Sequence, residues 1–350
     1  MPDSQKRIGL IGLSAKGQIT ALQNSSKASA EAAAKEYKLE DVATHDSPSD
    51  IALDANVDIV AVSVNVPEHY DLIKPALQAG KDVFSEWPLA RNLSEAEELV
   101  QLAKTKGVRT MVGLQARQNP SILKAKEIVA SGKLGKVLGT TMYGHGMIFG
   151  PTIQQGFLYA LPIEAGANLV TIPFGHAVDA LCYVLGEVKD ISATLANHRP
   201  ELELVGADGK PTKKVQKTAH DYVNMIGKLA NGGGLVDVMY APALSRTGRD
   251  FYWEINGTDA TLVLEGGKMG GHVQMFQPKV KLAKDDGIED IEVEKAPDFS
   301  FNVGKAWDAW AGVGTDKGYS VTTFEDALLR HKMIDAIYRS AERGTRENYL

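Results

Sequence analysis

The sequence predicts an α/β protein: a Rossmann-like, doubly wound parallel sheet, followed by an α+β domain built on a large, mainly antiparallel open sheet. Three observations carry this expectation. Short apolar runs alternate with helical patterns from Arg7 to Ser131, as in strands joined by crossover helices. After Gly132-Lys133-Leu134-Gly135 the pattern changes to strands joined by tight turns. At 350 residues the chain is too long for one ordinary core, so two domains are expected, residues 1–133 and 134–350.

Arg7-Ile8-Gly9-Leu10-Ile11-Gly12 reads as a buried strand. It runs into Gly12-Leu13-Ser14-Ala15-Lys16-Gly17, a dinucleotide fingerprint with Ser14 at the middle glycine; such glycines also serve a simple turn. The next stretch has two readings. In one, Gln18–Gln23 is a second strand reached by a bare crossover. Parallel neighbours normally need ~10–12 residues between them, and the few available just span one strand length at ~3.3–3.6 Å per residue. In the other, Ala15–Leu22 is a helix and the second strand is missing. Losing the crossover helix removes the helix N-terminus that usually receives a pyrophosphate.

Asn24-Ser25-Ser26-Lys27 then leads into an Ala-rich helix, Ser29–Tyr37. The β-branched run Val57–Val64 fits a central strand buried on both faces, and it ends in Asn65-Val66-Pro67-Glu68-His69-Tyr70, where Pro67 suits a first helical turn. The strand Asp82–Ser85 stops on Glu86-Trp87-Pro88. Ser94-Glu95-Ala96-Glu97 has the form of a capping box for a helix ending near Gly107. After the strand Arg109–Leu114, Asn119-Pro120 caps the helix Ser121–Ser131.

In the second half, Tyr222–Leu229, Leu235–Tyr240, Tyr252–Ile255 and Thr261–Leu264 read as strands, with a hairpin signal at Asn256-Gly257. Residues 166–186 have helical character, and Pro173 either kinks that helix or starts it. A last amphipathic helix over 322–344, with Leu329, Met333, Ile334, Ile337 and Ala341 as its core face, is expected to pack back on the first domain.

A formal charge of −6 argues against a general nucleic-acid binder. The single cysteine, Cys182, forms no internal disulfide, and no metal site is expected. No run approaches a membrane span and the start lacks a signal peptide's apolar stretch, so a cytoplasmic location is expected, with the nucleus also open.

The glycine loop, Val66-Pro67-Glu68-His69-Tyr70, Glu86-Trp87-Pro88-Leu89-Ala90 and Leu114-Gln115-Ala116-Arg117-Gln118-Asn119-Pro120-Ser121-Ile122-Leu123 occur in consistent order. Together they resemble the Gfo/Idh/MocA oxidoreductase family, and within it the fungal galactose-pathway-repressor branch, which also carries Glu-Trp where the family has Glu-Lys. Ala165-Gly166-Ala167-Asn168-Leu169-Val170-Thr171-Ile172-Pro173-Phe174-Gly175-His176 extends the resemblance into the second half. It also favours the bare crossover, because Ile19–Ser26 resembles family second strands.

The resemblance implies hydride transfer from a sugar or polyol C–H to a nicotinamide while a base accepts the hydroxyl proton. It places the cofactor on Gly12, Leu13, Ser14, Gly17, Asn24, Ser25, Ser26, Lys27, Asn65, Val66, Pro67, His69, Glu86, Trp87, Gln115 and Arg117. The family's motif lysine is Trp87 here, and its aspartate, four residues before the histidine, is Ile172. His176 is therefore the candidate catalytic base, since histidine titrates near neutrality; alternatively its ring is satisfied by a backbone carbonyl or by Asp179.

Trp87, Tyr143, His145, Asn168, Thr171 and His176 are the candidate substrate-pocket residues. Trp87 either walls the pocket and stacks on the cofactor or is a buried strand-end aromatic, and a cis bond before Pro88 would match the family. Arg117 either lines the cleft or forms a surface ion pair. With no acid after the second strand and Lys27 able to attract a 2′-phosphate, NADP suits the chain at least as well as NAD.

Two functions follow. One is an NAD(P)-dependent oxidoreductase acting on a small hydroxylated or carbonyl, sugar-like compound. The other is a non-catalytic NAD(P)-responsive regulator that binds a protein partner. A homodimer through the C-terminal sheet is expected in either case.

Overall fold

The computed structural model describes residues 7–11 and 18–350. Gly12, Leu13, Ser14 and Gly17 of the glycine loop lie outside the described residues. The strands β1 (Arg7–Ile11), β2 (Gln18–Gln23), β3 (Ala43–His45), β4 (Ile59–Val62), β5 (Asp82–Glu86) and β6 (Thr110–Gly113) form a parallel sheet in the order β3-β2-β1-β4-β5-β6. This is the dinucleotide-binding order, with its reversal point between β1 and β4. Because residues 18–23 are extended and paired with β1, the alternative helix reaching Leu22 is overturned.

Helices α1 (Lys27–Glu36), α2 (Pro48–Leu53), α3 (His69–Gln78), α4 (Leu93–Lys106) and α5 (Pro120–Ala130) alternate with these strands or follow them. The second half adds α6 (Pro173–Leu185), α7 (Phe301–Trp310) and α8 (Phe324–Arg343). The cap of α4 corrects the sequence reading: Asn92, not Ser94, accepts the Glu95 N–H at 3.0 Å. Asn119 caps α5 as expected, taking the Ser121 N–H at 3.0 Å.

The two faces of the sheet are covered by different parts of the chain. Val60, Val62, Val83 and Val112 belong to the core that contains α3 and α4. Ile8, Leu10, Leu22, Ile59, Phe84 and Met111 face the other way and pack with Ala306, Trp307 and Trp310 of α7. The Phe84 and Trp307 rings lie 5.1 Å apart, and Arg109 sits over the Trp310 ring. A helix from the end of the chain therefore completes the first core. α8 packs on α4 as well as on the second half, with Met333 and Ile337 fully buried and Gly344 closing it in the left-handed region.

The remaining strands are β7 (Val137–Gly146), β8 (Thr152–Gln154), β9 (Val188–Ala196), β10 (Glu201–Val205), β11 (Pro211–Gln216), β12 (Tyr222–Leu229), β13 (Leu235–Pro242), β14 (Phe251–Gly257), β15 (Thr261–Gly266), β16 (Lys279–Lys284) and β17 (Gly287–Ile291). Eight of them make a sheet in the order β17-β16-β15-β14-β7-β13-β12-β9, antiparallel throughout except between β7 and β13. A small sheet, β11-β10-β8, is an addition the sequence patterns did not announce. The β14–β15 hairpin is present, but Asn256 pairs with Thr261 as its last rung, and the turn closes one step later through Gly257 N–H to Ala260 C=O at 3.0 Å.

Candidate functional site

Four of the parallel strands end at one edge and deliver the predicted cofactor residues there: Asn24 to Lys27 after β2, Asn65 to Pro67 after β4, Glu86 and Trp87 at the end of β5, and Gln115 and Arg117 after β6. In open α/β sheets this carboxyl edge, at the reversal point, is where ligands bind. Asn24 and Ser26 also have local work: Asn24 accepts the Ser25 N–H, and Ser26 forms a capping box with Ser29 at the start of α1. Lys27 is exposed and makes no ion pair among the described residues.

Trp87 is a buried wedge. Its peptide bond to Pro88 is cis, its indole N–H donates to Thr171 C=O at 2.7 Å, and its ring lies 4.9 Å from His331 of α8. A Cβ on Gly175 would come within 2.9 Å of the indole nitrogen, so α6 can approach only as glycine there. His69 is wholly buried behind this turn, its ring nitrogens 2.8 Å from Pro88 C=O and 3.0 Å from Val64 C=O. A neutral imidazole donates only one of these bonds. The ring thus pins the loop after β4 to the cis-proline turn.

The Glu86 carboxylate lies against Gly113, where a Cβ would collide with it. Among the described residues it makes no hydrogen bond, and burial pushes its pKa up to about 7. Gln115 carries a buried carbonyl oxygen without a partner.

Arg117 is an interdomain strut. It binds Asp179 of α6 bidentately at 2.8 and 2.7 Å and Asp326 of α8 at 3.1 Å. Burial opposes its charge, but the two carboxylates outweigh that and raise its pKa. The alternative of a surface pair is overturned, and so is the use of Asp179 to satisfy His176.

His176 lies in the first turn of α6, which Pro173 starts rather than kinks. Its Nδ1 is buried without a partner, and burial, with His272 nearby, pushes its pKa down to about 3. The expected titration near neutrality is therefore corrected: the ring is a neutral hydrogen-bonding group. His272, held at about 4 mainly by burial, accepts the Met147 N–H at Nε2, 3.1 Å away, so the neutral ring carries its proton on Nδ1 and cannot also accept from the Gln274 amide nitrogen 3.4 Å off. His272 stands in a glycine-rich turn with no motif to mark it.

The other pocket candidates do not gather on His176. Along β7, Thr140, Met142, Gly144 and Gly146 are buried, and a Cβ on Gly144 would collide with Tyr240, which packs on Phe174 of α6. Side chains alternate along a strand, so Tyr143 and His145 lie on the opposite face, bonded to each other at 2.7 Å, with His145 also bonded to Ala243 C=O. Asn168 and Thr171 form a closed turn before α6, with Asn168 Oδ1 accepting the Val170 and Thr171 amides and Thr171 Oγ1 accepting the Asn168 amide.

A parallel sheet in dinucleotide-binding order, met at its carboxyl edge by the turn before α6 through Trp87 and Thr171, is the architecture of a dinucleotide-binding α/β protein. Residues 4–114 match the GFO_IDH_MocA profile, described as "Oxidoreductase family, NAD-binding Rossmann fold", and residues 120–266 match "Gal80p, C-terminal domain". The chain is 33% identical to "Dehydrogenase aclE" of Aspergillus oryzae over 98% of each chain. It is 27% identical to "Galactose/lactose metabolism regulatory protein GAL80" of Saccharomyces cerevisiae over 97% of this chain and 89% of that one. A solved super-repressor mutant of Gal80p from Saccharomyces cerevisiae superposes with a TM-score of 0.89 at 26% identity, covering 99% and 98% of the two chains. "Levoglucosan dehydrogenase, complex with NADH and L-sorbose" shares the fold at a TM-score of 0.79 and 19% identity, covering 99% of each chain. The chain belongs to the Gfo/Idh/MocA oxidoreductase family, with a C-terminal domain of the Gal80p type.

Proposed function

We propose that the protein is an NAD(P)-dependent oxidoreductase acting on a small hydroxylated or carbonyl, sugar-like compound. The observation that carries this is His176: in the first turn of α6, next in sequence to the Gly175 on which Trp87 packs, it holds a buried ring nitrogen with no partner among the described residues. The residues present suit a nicotinamide dinucleotide. Gln23 and Gln115 both keep buried carbonyl oxygens unspent near the carboxyl edge, and Asn65 has an unbonded side chain among the described residues. When bound, the nicotinamide supplies the hydride acceptor.

His176, neutral, accepts a hydrogen bond from the reacting hydroxyl and orients it. The proton of that hydroxyl would pass, directly or through water, to the Glu86 carboxylate, whose pKa lies near working pH. The test is titration with NAD(H) and NADP(H), then a turnover screen on sugars and polyols. His176→Ala is expected to abolish turnover and leave nucleotide affinity within about twofold; full turnover in that variant would sink the assignment.

A second reading, a nucleotide-responsive regulator with a protein partner, is favoured by Trp87 and Ile172 in place of the family's lysine and aspartate, and by the regulatory names of two relatives. Tight nucleotide binding without turnover on any substrate would select it.

NADP is the proposed preference, because Lys27 opens α1, whose first turn carries no acid. Lys27→Glu is expected to weaken NADP binding about tenfold, since it replaces a favourable charge with a repulsive one, and to leave NAD binding little changed. A homodimer is proposed through the outer face of the large sheet, where Ile226 is 49% and Leu235 is 65% exposed beside a cavity of about 410 Å³. Sedimentation equilibrium should give the mass of two chains, falling to one in Ile226→Lys; a single-chain mass for the wild type would refute the dimer.

A further inference from the structure

Where the start of α4, the segment 163–171 and the middle of α8 meet, there is a cavity of about 240 Å³ whose walls include Arg91, Asn168, Thr171, His331, Asp335 and Tyr338. Its charged groups are already paired. Arg91 binds Glu95 through Nε at 2.8 Å and through Nη2, and Asp335 accepts from Arg339 at 2.8 Å.

The neutral groups are not satisfied. His331 is 5% exposed, neither of its ring nitrogens has a hydrogen-bond partner among the described residues, and its Nε2 is wholly buried. Asn168 spends its carbonyl oxygen on two backbone amides, while its NH2 has no acceptor among the described residues. The Tyr338 hydroxyl reaches only Asn168 Oδ1, at 3.5 Å, the outer edge of a hydrogen bond. Leaving such groups unmade is costly.

We propose that this cavity is a binding site for a small neutral polyol, whose hydroxyls meet His331, the Asn168 amide and Tyr338. A hydroxyl both donates and accepts, which matches an imidazole, an amide NH2 and a phenol together. A charged ligand would enter with no free counter-charge, because both ionic groups in the wall are spoken for and His331 is held neutral, its pKa pushed down to about 3 by burial. At about 30 Å³ per water molecule the space holds about eight waters, enough for a four-carbon polyol with room to spare. Nothing in this depends on the hydride chemistry proposed above.

Trp87 provides the reporter, since its ring touches His331. Titrating the full chain with erythritol is expected to give a saturable change in tryptophan emission that disappears in Trp87→Phe. The midpoint should rise tenfold or more in His331→Phe, which keeps a ring against Trp87, and in Tyr338→Phe, which removes only the hydroxyl. If His331→Phe fails to fold, Tyr338→Phe decides. No saturable change in the wild type overturns the proposal, as does a midpoint unmoved by these substitutions. A change lost in His176→Ala but kept in Tyr338→Phe would place erythritol in the catalytic cleft and overturn it equally.

Discussion

Asp179→Ala is expected to destabilise the folded chain by about 3–5 kcal/mol, because it strands a buried arginine whose partner is gone. Asp179 is fully buried on α6 and holds Arg117 Nε and Nη2, with Arg330 Nε 3.7 Å from its Oδ1. Without it Arg117 keeps only Asp326, and Arg330, itself 1% exposed, keeps Glu187 with Cys182 and Met333 sulfurs as weak neighbours. The pair joins the chain after β6 to α6 and α8, so its loss acts on both domains. Urea unfolding gives the measurement, with Asp179→Asn as the isosteric control. Replacing both partners, Arg117→Met with Asp179→Leu, should recover most of the loss, because no buried charge is then left alone. A single-substitution loss below about 1 kcal/mol, the range of an exposed pair, would show that the arginine finds water instead.

Much of the fold was legible because it rests on local rules. The strand at Val57–Val64, the Asn119 cap of α5, the start of α8 at Thr323 and its stop at Gly344 all follow from neighbours in sequence. The parts that were not legible depend on contacts far along the chain. Nothing local says that Trp307 and Trp310 will cover Phe84, more than two hundred residues earlier, or that Asn92 will cap α4 two residues before Ser94. The site divides the same way. Strand ends at the carboxyl edge could be placed from topology, and the parallel pairing of β2 with β1 fits the reading of residues 18–23 as a second strand. Tyr143 and His145 could not, because β7 alternates small or apolar residues with polar aromatics and only the seating of Tyr240 on Phe174 shows which face is the core. Arg117 and Asp179 are 62 positions apart, so their pairing has no sequence signature.

Trp87 shows what the lysine position has become. The indole reaches from the end of β5 to the Thr171 carbonyl, and its close fit to Gly175 and His331 binds the first domain to α6 and α8. A lysine there would have to bury an ammonium beside two imidazoles held neutral, His69 and His331. The surroundings are built for an apolar ring with one donor.

Those buried neutral histidines make acid the protein's weak direction. His176, His272 and His331 are held to about 3, 4 and 3, chiefly by burial, against an ordinary value of 6.5. Below pH 6.5 the unfolded chain protonates all three and the folded chain does not, so the unfolded state binds more protons and stability falls as the pH falls. Glu86 works the other way. Its folded pKa is raised from 4.5 to about 7, so between those values the folded chain holds a proton that the unfolded chain lacks, and acidification favours folding. Three protons taken up on unfolding and one released leave a net of two. At about 1.4 kcal/mol per proton per pH unit, stability should fall by roughly 2–3 kcal/mol per unit between about pH 6 and about pH 5, with His69 and His220, also held low by burial, adding to the fall. That is a large share of the ~5–15 kcal/mol typical of a domain. Urea unfolding at neutral pH and at about pH 5.5 measures the slope. Glu86→Gln should steepen it by about one proton, and His331→Phe should flatten it by about one. A flat profile down to about pH 5 would mean that the three rings are hydrated or charged in the folded protein, and His176 would then regain the role of a titrating base.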